Sequence, residues 1–356
     1  MLKTFKFRLY PNKSQQKLLQ NHLNKCRWLY NYMLNLKRKV YQSDNISLSK
    51  YDMQKLLPLL KQTYPELKTI HSQVLQDVTK RINLAFLAFF RRLKENEIAG
   101  YPRFKGYNRY DSFTYKQSGF QLQDKTNNKH KYLQLSKIGK VKIKQHRNID
   151  IDNIKTLTIW RNNLNHYYAC FVVEVEEKPL PKTDKQIGID LGIEYFATCS
   201  NQEVIDNPKH MNKKLKQLQK QSRRYSKAKN NKNKQDMKKQ KYRLAKLHNK
   251  IKNSRKDFLH KISRTLINNN DIIIVEDLNI EKMKDNNFKV LNRYIGDAGW
   301  NTFIQMLFYK AEEAGRILIK VNPRNTSKTC SQCGYINKEL ELKDRIYQCP
   351  QCNMEF

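Results

Sequence analysis

The sequence predicts an α+β protein of several domains: a small β-barrel interrupted after its first strand by a helical insertion, then an α/β domain ending in a cysteine-rich ribbon. Three observations predict it. Residues 12–100 carry apolar positions at helical spacing, while 101–177 change to short alternating runs. Two apolar strands farther on each end in a carboxylate, and four of the seven cysteines fall in the last 27 residues. The chain has 356 residues, 39% of them hydrophobic, enough for two or three domains with cores of their own.

The charge balance narrows the function. Seventy Lys and Arg stand against 32 Asp and Glu, a net charge of +38, and such self-repulsion calls for a polyanionic partner. No stretch approaches the roughly 18 apolar residues of a membrane span, and the start, LKTFKFRLY, lacks a signal-peptide core. The expectation is therefore nucleic acid and no membrane, in a cytoplasmic protein. Twenty Tyr and 15 Phe among the basic residues can stack on bases.

Phe5, Phe7 and Leu9 alternate with Lys6, Arg8 and Tyr10, giving a half-exposed strand that Pro11 ends. Asn12 with Gln15 starts a helix whose apolar face runs through Leu19, Leu23, Cys26 and Leu29. A second amphipathic helix spans about 72–94, with Val74, Val78, Ile82, Ala85, Phe86 and Phe89 on one face. Strands follow at 131–135, 141–144 and 157–160, the last joined across Asn162-Asn163 to 167–175 as a hairpin. After a linker at 179–185 come the apolar run 187–191 and a helical stretch, 209–266, interrupted near 226–235 like a hairpin tip. This stretch holds 22 Lys and Arg but only two acids, Asp236 and Asp257, a bias that fits a phosphate backbone. A strand at 272–275, a helix over about 297–315 and a strand at 316–321 complete the pattern.

Asp190 ends IGIDLG and Glu276 ends the IIIVE strand. Carboxylates at the ends of neighbouring buried strands can share Mg2+, a hard ion that takes oxygen ligands and serves phosphodiester displacement. Cys330-x2-Cys333, fifteen residues, then Cys349-x2-Cys352 is the spacing of a closed four-thiolate structural Zn2+ site. Cys26, Cys170 and Cys199 read as ordinary buried thiols.

The ordered set FKFRLYPN, AFLAFFRRLK, YPRFKG, IGIDLG, RKDFLHKIS, IIIVEDLNI, DAGWNTF, NPRNTSKTCSQCG and CPQC resembles the TnpB family, transposon-encoded RNA-guided DNA nucleases related to type V CRISPR effectors. The resemblance implies a wedge-type β-barrel (1–11 and 101–182), an inserted helical recognition domain (12–100), an RNase H-like RuvC domain (183–325) and a zinc ribbon with a shortened RuvC end (326–356). It implies Asp190 and Glu276 as the first two RuvC carboxylates. In the family an Asp-bearing segment follows the last cysteine pair and supplies the third; here Asn353, Met354, Glu355 and Phe356 follow Cys352. The expectation is a loss of cleavage on the order of 10^3-fold or more, with Mg2+ bound non-productively. Glu355 and Asp297, the latter expected to cap its helix, are the candidate substitutes.

Binding needs no third carboxylate. Guide RNA pairs with the target while the protein reads a short flanking motif in double-stranded DNA. Gln73, Gln76 and Lys80 share a polar helix face that is either this reader or a solvated surface. Arg8, Arg27, Arg91, Arg92, Arg103, Lys105, Tyr107, Arg109, Arg223, Arg224 and Arg324 are the candidates for gripping the nucleic-acid backbone. The expected function is guide-directed DNA binding without efficient cleavage, acting as a repressor in a prokaryotic, nucleoid-associated setting, with one protein per RNA. The rivals are an active endonuclease and a decayed transposon fragment.

Overall fold

Leu2–Tyr10 (β1) buries Phe7 and Leu9 and turns the residues between them outward or to half-burial. Pro11, lacking an N–H, ends the ladder. Asn12 then caps α1 (Lys13–Asp44): its side chain accepts from the Gln15 N–H while the Gln15 side chain accepts from the Asn12 N–H, the capping box the sequence predicts. The computed structural model describes residues 1–123, 131–284, 288–337, 339 and 347–355. Two units divide the chain, Met1–Val175 and Glu176–Phe356.

In the first unit, α2 (Lys50–Lys55), α3 (Leu57–Thr63) and a 3-10 turn (Pro65–Thr69) lead to α4 (Ser72–Lys94). Val74, Val78, Ile82 and Phe86 of α4 are buried in one core with Leu19, Leu23, Cys26 and Leu29 of α1, as the helical spacing requires. The sheet contains β2 (Ser112–Tyr115), β3 (Phe120–Gln123), β4 (Lys131–Leu135), β5 (Gly139–Lys144), β6 (Ile154–Arg161) and β7 (Tyr167–Glu174), in the order β2-β6-β7-β1-β5-β4-β3. All six pairings are antiparallel. The sequence gives no sign of β2 or β3.

These two edge strands are joined by only four residues. Six interstrand spacings of a flat sheet would separate them by about 29 Å, whereas five peptide steps reach about 17 Å. The sheet therefore curls, and the Tyr115 and Phe120 rings of its two edges lie 6.3 Å apart. No backbone pairing joins β2 to β3 among the described residues, so the expected barrel is a curled sheet without a closed ladder. In the β6–β7 hairpin Asn165, rather than the Asn162-Asn163 step, takes the left-handed conformation, at φ 57°. The Asn162 side chain instead accepts from the Leu164 and His166 N–H groups.

In the second unit, β8 (Gln186–Asp190), β9 (Tyr195–Cys199) and β10 (Val204–Asp206) form a meander. It is followed by α5 (Leu215–Asn230), α6 (Lys234–Asn269), β11 (Ile272–Glu276), α7 (Ile280–Lys284), α8 (Lys289–Ala298), α9 (Trp300–Ala314) and β12 (Ile317–Val321). The sheet order is β10-β9-β8-β11-β12, with β11 parallel to both neighbours. The expected helix over 297–315 is α9, which starts later than expected because Gly299, at φ 75°, separates it from an unexpected preceding helix, α8. Asp297 thus ends α8 and does not cap α9.

Candidate functional site

The register of the second sheet places the two carboxylates. Val275 is paired with Ile189 on parallel strands, so Glu276 and Asp190 come next, side by side at the carboxyl ends of β11 and β8, about 4.8 Å apart along the ladder direction. Being at equivalent positions, they face the same side of the sheet. The carboxyl end of parallel strands is where α/β sheets present ligand sites. Asp190 is exposed and Glu276 half-buried. The Thr326 hydroxyl donates to Glu276 Oε1 at 2.6 Å, drawing the segment after β12, with exposed Arg324, toward this end. Two hard oxygen donors side by side, open to solvent, suit a divalent ion such as Mg2+.

Other acids of this unit are already engaged. Asp277 accepts from Lys320 Nζ at 2.9 Å. Asp297, 6% exposed, accepts from Arg255 Nη2 and from the Met211 N–H, both at 2.7 Å. The RKDFLHKIS and DAGWNTF segments therefore meet in an ion pair between half-buried Arg255 of α6 and buried Asp297 of α8. Lys310 of α9 adds a second tie, donating to the His260 carbonyl and to Ser263 Oγ on α6. Burial foremost, then Arg264, lower its pKa to about 8 against the opposing effect of Glu313. Sequence reasoning gave Arg255, Lys310 and Thr326 no role, although all but Lys310 lie in the motifs that carry the family resemblance. Glu355 is exposed and bridges back to Gln348 in the ribbon.

The helix pair α5–α6 carries the basic stretch, with Arg223 and Arg224 exposed as expected. In the first unit the predicted contact residues separate into two groups. Arg103, Lys105, Tyr107 and Arg109 are exposed, on a segment strapped along α1. Asn31 holds it at both backbone groups of Lys105, accepting from the N–H at 2.7 Å and donating to the carbonyl at 3.0 Å. Arg38 donates to the Pro102 carbonyl and lies over the Tyr101 and Phe104 rings. Arg27 belongs to the strap's support, donating to the Lys105 carbonyl and lying 5.9 Å from the Tyr107 ring centre. Arg8 is half-buried against Tyr168, whose hydroxyl accepts its Nη1 at 3.1 Å. Arg91 and Arg92 are exposed near Glu95 and Glu97.

The three residues expected to read a flanking motif differ in availability. Gln73 Oε1 accepts from the N–H groups of Lys116, Gln117 and Ser118 at 3.0 to 3.2 Å, holding the turn between β2 and β3. Its carboxamide oxygen is committed to the fold. Gln76 is half-buried and Lys80 exposed.

At the C-terminal end the sulfurs of Cys330, Cys333, Cys349 and Cys352 lie within 4.8 Å of one another, with Cys330–Cys352 and Cys333–Cys349 at 3.5 Å. Four sulfurs at about 2.3 Å from one tetrahedral Zn2+ stand about 3.8 Å apart, so the cluster fits that ion. Each pair sits on the same turn. The residues directly after it, Gly334 and Asn353, take φ of 74° and 54°, a conformation that glycine and asparagine adopt most readily. The Cys330 N–H donates to the Tyr335 carbonyl and the Cys349 N–H to the Met354 carbonyl, both at 2.8 Å. Backbone N–H groups of Cys333 and Gln332 lower the pKa of Cys330. Cys26, by contrast, is fully buried and its thiol is pushed up to about 12, as expected of an inert core residue. Among the described residues no helix is long and apolar enough to cross a membrane.

Comparison with known proteins agrees with this layout. The family model of the IS605 OrfB probable transposases matches residues 170–287, that of the Cas12f1-like TNB domain residues 300–356, and that of an OrfB helix-turn-helix domain residues 1–45. In this chain the last segment folds as β1 and the single long helix α1. A putative RNA-guided DNA endonuclease, InsQ of Escherichia coli, is 29% identical over 98% of this chain and 87% of its own length. A putative RNA-guided DNA endonuclease of Streptomyces pristinaespiralis is also 29% identical, over 98% and 84%. The solved structure of the mini-RNA-guided endonuclease CRISPR-Cas_phi3 superposes with a TM-score of 0.54 at 9% identity, covering all of this chain and 90% of its own, which is a likeness of fold. The α+β architecture, the clustered cysteines and these matches together make the chain similar to the TnpB proteins of IS605-type transposons.

Proposed function

We propose that this protein binds double-stranded DNA at sites chosen by a guide RNA, one protein per RNA, and holds them without efficient cleavage, so that it represses transcription from an occupied promoter. In this reading the first unit is the wedge barrel with its recognition insertion, and the second is the RuvC domain carrying the ribbon. The relatives named as RNA-guided DNA endonucleases support the guide and the target. The 22-to-2 basic bias of residues 209–266 supports a grip on the phosphate backbone. Exposed Tyr107 between Lys105 and Arg109 supports base stacking.

The observation that carries the binding-without-cutting reading is the commitment of the acids at the end of β11. Glu276 accepts from Thr326 and the adjacent Asp277 from Lys320. A divalent ion on the Asp190–Glu276 pair would neutralise charge on a phosphodiester, and two-metal displacement depends on further anchoring ligands. The second reading, an active endonuclease, is favoured by the retention of that pair in register.

A reporter whose promoter matches the co-purifying RNA tests the proposal. Wild-type protein and Asp190→Ala are expected to repress it equally. Loss of repression in Asp190→Ala would favour the endonuclease, and absence of any co-purifying RNA would overturn both guided readings.

A further inference from the structure

The basic helix pair α5–α6 contains two acids, of which Asp236 stands in the first turn of α6, capped by Asn233, where a negative charge favours the helix dipole. Of the two acids in residues 209–266, Asp257 forms an ion pair with Lys261 at 2.7 Å. Asp236 lines a cleft of ≈ 550 Å³ between the helices together with Arg224, Lys227 and Arg243, yet among the described residues none of these cations lies within ion-pair distance of it. Its carboxylate is instead held from behind. Gln221 Nε2 donates to Gln240 Oε1 at 2.8 Å, and Gln240 Nε2 donates to Asp236 Oδ1 at 2.8 Å. Gln240 is 9% exposed, so this relay is internal to the helix pair and fixes the carboxylate's orientation. Asn231 and Asn233 complete the wall.

A carboxylate fixed by a buried amide relay, among three cations that do not neutralise it, is suited to a ligand carrying both a phosphate and an edge of N–H donors. The cleft is within the size range of small-ligand sites, which begins at about 300 Å³. Resting on the nucleic-acid reading above, we propose that this cleft is a nucleotide pocket: Arg224, Lys227 and Arg243 take the phosphate, and Asp236 accepts from the N1–H and N2–H edge of guanine. Uracil offers a single N–H between two carbonyl acceptors, and these oppose a carboxylate. The guanylate is either a nucleotide turned out of a bound strand or a free mononucleotide.

The test uses full-length protein freed of RNA, with 5′-GMP, 5′-UMP and inorganic phosphate as probes in calorimetry. GMP is expected to bind about tenfold more tightly than UMP, the discrimination of a bidentate base contact. Asp236→Asn should erase that preference while leaving phosphate affinity unchanged or higher. Arg243→Gln should weaken all three without altering the GMP-to-UMP ratio, and this variant guards against a misfolded Asp236→Asn. Equal binding of GMP and UMP by the wild type, or uniform tightening of all probes in Asp236→Asn, would overturn the pocket and leave guide binding intact. Replacing a single guanine in the co-purifying RNA by inosine, which lacks the N2 amine, identifies the strand as the source if affinity falls. Unchanged affinity at every guanine assigns the pocket to a free nucleotide.

Discussion

The Thr326 hydroxyl donates to the Glu276 carboxylate at 2.6 Å across fifty residues of sequence. One contact thus ties the segment leading into the zinc ribbon to the end of β11, beside Asp190.

This relationship predicts a measurable effect on metal binding. Followed by Mn2+ electron paramagnetic resonance, Asp190→Ala and Glu276→Ala are expected to remove a bound ion. Thr326→Val should lower the affinity about tenfold, as loss of a group that orients a ligand does. Unchanged Mn2+ binding in Asp190→Ala would show that the pair holds no ion.

The Arg255–Asp297 pair is predicted to be structural. Asp297→Ala removes a buried, charge-assisted partner from half-buried Arg255 and should cost about 1.5–3 kcal/mol in urea denaturation. The double change Arg255→Met with Asp297→Leu should cost less than the sum of the single ones. Strict additivity would mean that the pair does not couple α6 to α8.

Lys310 gives the stability a pH dependence of known sign. Its pKa in the fold, about 8, lies below that of the unfolded chain, because burial penalises the ammonium form. The cost of holding that charge is therefore complete below pH 8 and fades as pH rises through 8 toward the ordinary lysine value. Relative to Lys310→Met, the wild type should gain stability between about pH 8 and 10 in denaturant titrations at a series of pH values. Parallel curves for the two proteins would contradict this.

One Zn2+ per chain is expected by elemental analysis. Cys349→Ser should reduce it to none and lower the melting temperature, because ligand binding and folding of such a ribbon are one event. Zinc retained in stoichiometric amount by Cys349→Ser would exclude the four-thiolate site.

Much of this was legible in the sequence where a local rule acts alone. The Asn12–Gln15 box, the 3.6-residue apolar repeat of α4 and the Cys-x2-Cys pairs each specify their own neighbourhood. What stayed hidden depends on partners distant in the chain. β2 and β3 are four-residue strands whose turn is held by Gln73 from α4. Gly119, at φ 89°, permits close approach there, since a Cβ would meet the Tyr115 ring at 2.8 Å. Gln73 looked like a free polar side chain because helical spacing cannot reveal an acceptor taken by another segment. Asp297 looked like a helix cap because the helix that precedes Gly299, α8, was not expected from the sequence. The carboxylate pair was named from two strand ends, but only the parallel register makes them neighbours.

The central claim is that the protein grips a guided target and leaves its strands whole. The most direct measurement incubates the purified protein and its co-purifying RNA with Mg2+ and a supercoiled plasmid carrying the matched sequence. The account predicts a retarded complex that, after protease treatment, returns the plasmid supercoiled. Guide-dependent nicked or linear plasmid, abolished by Asp190→Ala, would contradict it.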